Sequence, residues 1–242
     1  MFKHINTFYR PPESSRKPYI PVITIMITMK MDLINPYVVK IIIAIREGDS
    51  IRAISQRIQL SYCWTYKWMH DLARIGVFRL TKTKVCANKE NEFYKKTIAF
   101  IKDVLTKDVS FYYDVLTLFG VEYRFTKTDA VFMWTKGGYN IARYKEFYPI
   151  FIKVKKEDKR IFENYCKKLQ LNTQKKNGIF YEVAYVDKAE ISCVDNTPVD
   201  SLNETIKFME QNKYNFEPAL EMIKEMYKKK IKVKYKEAVT NV

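Results

Sequence analysis

The sequence predicts an α+β fold in two parts: a three-helix unit closed by a β-hairpin, then a small mixed α/β domain that ends in a helical pair. Three observations predict it. Apolar residues recur with helical spacing in three short stretches between Pro36 and Ile75, and the run after Gly76 alternates around a polar centre. From about residue 110, aromatic-rich segments with strand character alternate with short helical ones. At 242 residues and 47% hydrophobic, the chain is long and apolar enough to bury one large or two modest cores.

The opening "MFKHINTFYRPPESSRKPYIP" is rich in Pro, Ser and basic residues and has no helical period, so residues 1–30 read as a flexible arm. "IPVITIMITMKM" after it is too short to span a bilayer and lacks a small-residue cleavage site; Met26, Met29 and Met31 are alternative starts. From Pro36, Val38, Val39, Ile42, Ile43 and Ile45 form an apolar face that Gly48-Asp49 ends. Ser50 then caps "SIRAISQRI", with Ile51, Ile54 and Ile58 inward and Arg52, Gln56 and Arg57 outward. Ser61 caps a third helix, "SYCWTYKWMHDLARIG", in which Thr65, Trp68 or Met69, and Leu72 make the buried stripe. Tyr62, Cys63, Tyr66, Lys67, His70 and Arg74 share its other side, and Gly76 closes it with a residue free to take positive φ. "VFRLTKTKVCAN" reads as a two-stranded hairpin with a basic tip from Thr81 to Lys84.

Helix, helix, turn, helix, glycine and hairpin is the order of a winged helix-turn-helix. "RAISQRIQLSYCWTYKWMHDLARIGVFRLTKTK" resembles the winged-helix DNA-binding domains of archaeal and bacterial transcriptional regulators, with the Leu-x-x-x-Gly-apolar exit of that pattern at Leu72, Gly76 and Val77. The resemblance covers about 55 residues and implies a DNA-binding unit over 31–90, with aromatics where small polar residues are commoner at base-reading positions. Residues 91–108 are expected to carry an amphipathic helix with Phe93, Ile98, Ile101 and Leu105 near one face. In such regulators this helix links to the next domain or dimerises; packing on its own domain is the alternative.

The second half, 109–242, is read as a sensor or partner-binding domain. "SFYYDVLTLFG" is expected as a helix ended by Gly120, "VEYRFT", "AVFMWT", "IARY", "YPIFIKVK" and "GIFYEVAYV" as strands, and "KEDKRIFENYCKKL" as a helix. "PVDSLNETIKFMEQN" and "EPALEMIKEMYKKK" are expected to close the domain as two helices, with Gly137-Gly138 as a hairpin turn between "FMWT" and "IARY". This half weakly resembles the nucleotidyltransferase-like domains behind winged helices in archaeal regulators and in some abortive-infection antitoxins. A working nucleotidyltransferase needs a Gly-Ser turn and carboxylates at i and i+2 to hold two metal ions, whereas here Gly138 is followed by Tyr139-Asn140 and no Asp-x-Asp occurs. Asp129, Asp187, Glu190 and Asp195 are read as caps or surface pairs, and no GxSxG, HExxH, P-loop or GxGxxG is present. No enzyme is expected, unless three of Glu122, Asp129, Asp187 and Glu190 converge, and no cofactor is expected either.

The net charge of +16 points to a polyanion, with a lysine-rich thermophile surface as the bland alternative. Between residues 61 and 89 six basic residues face a single acid, Asp71. Double-stranded DNA is therefore the expected partner: Tyr62, Tyr66, Lys67 and His70 in the major groove with Ser61 and Arg74 flanking, Arg52 and Arg57 on the backbone, and Lys82 and Lys84 on the wing. A tyrosine ring suits a thymine methyl or a sugar, which gives the crowded outer face a use. A homodimer is expected from the two-fold symmetry of operators. A protein partner or a small-molecule effector is expected for the second half, with the lysine-rich end as a docking strand or RNA-binding tail. The four cysteines have no zinc or disulfide spacing, and no membrane segment is evident, so a reducing, cytoplasmic setting is expected. An antitoxin-like interaction module with autoregulatory DNA binding is the alternative function.

Overall fold

A computed structural model describes residues 35–174, 177–188 and 190–231. The expected arm at 1–30 and the lysine-rich end beyond Ile231 lie outside the described residues.

Local chemistry sets the first elements. Asn35 Oδ1 accepts from the Val38 N–H at 3.0 Å and Pro36 opens α1 (Pro36–Ala44), where its missing N–H is no loss. Gly48, at φ +83°, turns the chain, and Ser50 Oγ accepts from the Ala53 N–H to cap α2 (Ile51–Arg57). Ser61 caps α3 (Tyr62–Arg74), and Gly76, at φ +74°, leads into the antiparallel pair β1 (Phe78–Leu80) and β2 (Val85–Ala87). The Val85 N–H donates to Asp49 O at 2.7 Å and the Gly48 N–H donates to Val85 O at 3.2 Å, so the hairpin is stitched to the α1–α2 turn.

Asn91 caps α4 (Glu92–Asp103), and α5 (Val109–Val115) runs through a 3-10 turn to Gly120 in the left-handed region. There follow β3 (Tyr123–Phe125), α6 (Lys127–Trp134), β4 (Phe147–Lys155), α7 (Lys159–Leu169) and β5 (Gly178–Val186). Next come β6 (Ile191–Val194), β7 (Thr197–Asp200), α8 (Leu202–Gln211) and α9 (Lys213–Tyr227). The strand order is β5-β4-β3-β7-β6. Strands β4 and β5 are parallel from Phe147 opposite Gly178 to Lys155 opposite Val186, β3 is antiparallel to β4, and β7 is parallel to β3. The described residues thus form an α+β fold with two sheets, and the α+β class is the one the sequence predicts.

Three expectations in the second half need correction. "AVFMWT" is not a strand but most of α6, whose buried Ala130 and Val131 face inward; its aromatic and β-branched content mimics a strand, and packing against α8 and α9 decides otherwise. "IARY" is a loop with a single bridge at Tyr144, and Gly137-Gly138 is the frayed end of α6, the Gly137 N–H donating to Phe132 O at 2.9 Å. "PVD", expected in a helix, belongs to β7, which pairs with β6 across a two-residue turn in which Asp195 and Asn196 both have left-handed φ.

One continuous apolar core runs from α1 to β5 through Ile41, Leu72, Ile101, Phe119, Ile152 and Tyr181, so it crosses the 91–108 segment without a break. The helix there packs on α1 and α7. A second, smaller cluster joins Val131 of α6 to Met209, Phe216, Leu220 and Ile223 of α8 and α9. Successive strand residues alternate faces, so Tyr123 and Phe125 enter the main core while Arg124 and Thr126 turn to the α6–α8 side, where both bond Asp200. Asp129, expected at a cap or surface pair, is instead buried: it pairs with Arg143 at 2.9 Å, accepts from Tyr113 Oη and takes the Phe151 N–H at 2.8 Å. No helix among the described residues is long and apolar enough to cross a membrane.

Candidate nucleic-acid interface

The outer surface of α3 is built by the residues its inner face leaves over. Thr65, Trp68, Met69 and Leu72 are buried, and Thr65 Oγ1 donates to Ser61 O at 3.0 Å. Four-residue spacing then stacks Tyr62, Tyr66 and His70 in one ladder, with ring centroids 5.9 Å and 4.1 Å apart. Tyr62 is 50% and Tyr66 44% exposed.

A second ladder rises beside the first. The Trp64 and Trp68 rings stack at 6.4 Å, Tyr37 of α1 reaches Trp64 at the same distance, and Lys67 Nζ lies 4.7 Å from the Trp68 centroid and 5.4 Å from that of Trp64. Trp64, 54% exposed, is the residue the sequence reading leaves unassigned, although its spacing to Trp68 carries the signal.

The β1–β2 hairpin stands next to the start of α3. Thr81 closes its tip: the Thr81 N–H and Oγ1 both donate to Lys84 O at 2.9 Å, and Oγ1 accepts from the Lys84 N–H. Lys82 and Lys84 are left exposed. Between the hairpin, the start of α2 and Tyr62 lies an open groove of about 680 Å³, lined by Ser50, Arg52, Gln56, Tyr62, Lys82 and Lys84 among others. No carboxylate is among its described lining residues.

Four of the expected residues, Arg52, Tyr62, Lys82 and Lys84, therefore share one groove, Tyr66 and His70 continue from it along α3, and Lys67 lies on the neighbouring Trp64–Trp68 ladder. Ser61 is at the head of α3, its oxygen occupied by the Trp64 N–H at 3.3 Å. Arg74 lies at the far end, 67% exposed in its side chain and 3.2 Å from Asp71. Arg57 does not belong to this surface. It makes a two-pronged ion pair with Asp49, at 2.6 Å and 3.1 Å, and donates to Ala44 O at 2.7 Å, so its backbone-contact role is withdrawn.

Acidic residues elsewhere disperse. Glu122 pairs with Lys155, Asp187 with Lys156 and Asp129 with Arg143, and among the described residues no three His, Cys, Asp or Glu side chains gather to hold a metal ion. No protein-family model matches the chain, and neither a curated protein nor a solved structure is significantly similar to it.

Proposed function

We propose that the chain is a sequence-specific DNA-binding transcriptional regulator of winged helix-turn-helix type. In this reading α2, the Gln59–Ser61 turn and α3 form the helix-turn-helix, α3 enters the major groove, and the β1–β2 hairpin is the wing. One observation carries it: a ladder of exposed Tyr62 and Tyr66 and half-buried His70 runs out of a groove that is lined by Arg52, Lys82 and Lys84 and has no described acid. Arg52, Lys82 and Lys84, gathered in one groove at the start of α3, would meet the phosphates beside the groove that the helix enters. The tyrosine rings offer apolar faces to thymine methyls and hydroxyls to phosphates, and His70 and Lys67 offer donors to base edges. A homodimer matches a two-fold operator, and the remaining sheet and helices would serve dimerisation, an effector or a protein partner.

The second reading, an antitoxin-like interaction module, is favoured by the exposed Tyr37–Trp64 pair, which rests on the buried Trp68, because an exposed aromatic pair also suits a protein partner. Anisotropy titrations of the full chain against DNA from its own upstream region and against unrelated DNA, at two salt concentrations, separate the two. The regulator reading expects own-site binding that outlasts the higher salt and loses its preference in a Tyr66→Ala, Lys67→Ala variant. Equal, salt-erased binding to both DNAs would overturn it.

A further inference from the structure

The segment just after α1, residues 45–47, together with α4 and α7, borders a cleft of about 890 Å³, within the range of small-molecule sites. It is separate from the groove beside α3. Ile45, Tyr94, Ile98 and Ile161 give it an apolar floor. Its rim is cationic, with Arg46, Lys89, Lys95, Lys102, Lys167 and Lys168 against two lining acids, Glu47 and Asp103, and Lys95 is paired with Glu90 at 2.8 Å.

The pairing of these cations is uneven. Arg46 bonds Tyr165 Oη and the Phe119 and Gly120 carbonyls, and Lys168 Nζ reaches across from α7 to Ile42 O at 2.7 Å and Ile43 O at 2.9 Å. Lys89, Lys102 and Lys167 make no ion pair among the described residues. Burial pushes the Lys168 ammonium down to about 7, with repulsion from Lys89 and Arg57 adding to it and Asp49 opposing. Lys89 thus adds repulsion to the half-buried Lys168 beside a partly enclosed, apolar-floored space whose rim carries more basic than acidic side chains.

We infer that this cleft binds a phosphorylated small molecule with an apolar or aromatic body, of nucleotide size. The body lies on Tyr94 and Ile98, and the phosphates meet Lys89, Lys102 and Lys167 as charge-assisted hydrogen-bond acceptors. The inference does not depend on the DNA-binding reading, because the ligand is read without DNA.

Calorimetric titration of the full chain with adenosine, inorganic pyrophosphate, ADP, GDP and UDP tests it. At least one nucleoside diphosphate is expected to bind saturably, one per chain, at least tenfold tighter than either fragment. A Lys102→Ala, Lys167→Ala variant loses at least tenfold, whereas Lys82→Ala, Lys84→Ala, in the other groove, leaves the affinity unchanged. Three results would each overturn the inference: no saturable binding by any diphosphate, pyrophosphate as tight as the nucleotides, or a loss that follows Lys82 and Lys84 instead.

Discussion

Tyr66 lies between Tyr62 and His70, and its ring is close to both, so its exposed position is held by neighbours on its own helix. Such a side chain gives up little rotamer entropy when it meets a groove. Tyr66→Ala is therefore expected to cost about 1–3 kcal/mol of discrimination between the preferred DNA and a mismatched one, measured by competition titration. Lys82 and Lys84 should act differently. Replacing both by Ala is expected to weaken all DNAs alike and to lower the slope of log affinity against log salt by about 0.9 per lysine. An unchanged slope would remove the hairpin from the interface. The i, i+4 ladder was legible in the sequence because it needs only helical spacing. The fate of Arg57 was not, since Asp49 meets it only after the α1–α2 turn has closed.

At the scale of elements, caps and glycines were the readable signals. Ser50, Ser61, Gly76 and Gly120 sit where their chemistry predicts. Gly120 has a further constraint: at φ +54° an added Cβ would stand 2.9 Å from Arg57 Nε. Helix α6 was not readable, because "AVFMW" has no period that separates strand from helix and its partners, Met209 of α8 and Phe216, Leu220 and Ile223 of α9, lie far downstream in the chain. The link between α1 and α7 was likewise invisible. Lys168 crosses to the carbonyl end of α1, where the helix dipole favours a cation while burial opposes it. Its folded value near 7 lies below its ordinary 10.5, so between these the unfolded chain alone keeps the proton and stability rises with pH. The groups that face it are Lys89, Arg57 and Asp49, with Arg46 and the Tyr165 hydroxyl nearby. The urea midpoint of the parent minus that of Lys168→Met should rise from pH 7 toward pH 10 and stay flat below pH 6; no rise would contradict this assignment.

For the whole molecule, the unbroken core from α1 to β5 means that the helical third and the large sheet support each other. The order of helices and hairpin was readable because each boundary is local; the docking of the two halves was not, because it rests on contacts more than 100 residues apart, such as Tyr165 with Ala44. Asp129 shows the cost of disturbing the second half. Its carboxylate holds Arg143, Tyr113 and the β4 backbone together in a buried site, and Asp129→Ala would leave the guanidinium without its partner. A loss of about 3–5 kcal/mol is expected from urea unfolding at constant m-value.

The proposed regulator stands or falls with α3 in the major groove of DNA. Dimethyl sulfate probing of the chain's own upstream DNA tests it most directly, because it reports guanine N7 in the major groove and adenine N3 in the minor groove separately. With α3 in the groove, a short patch of guanine N7 positions is expected to be protected, and Tyr66→Ala, Lys67→Ala to abolish that protection. Full binding with no N7 protection, or protection that survives that double substitution, would contradict it.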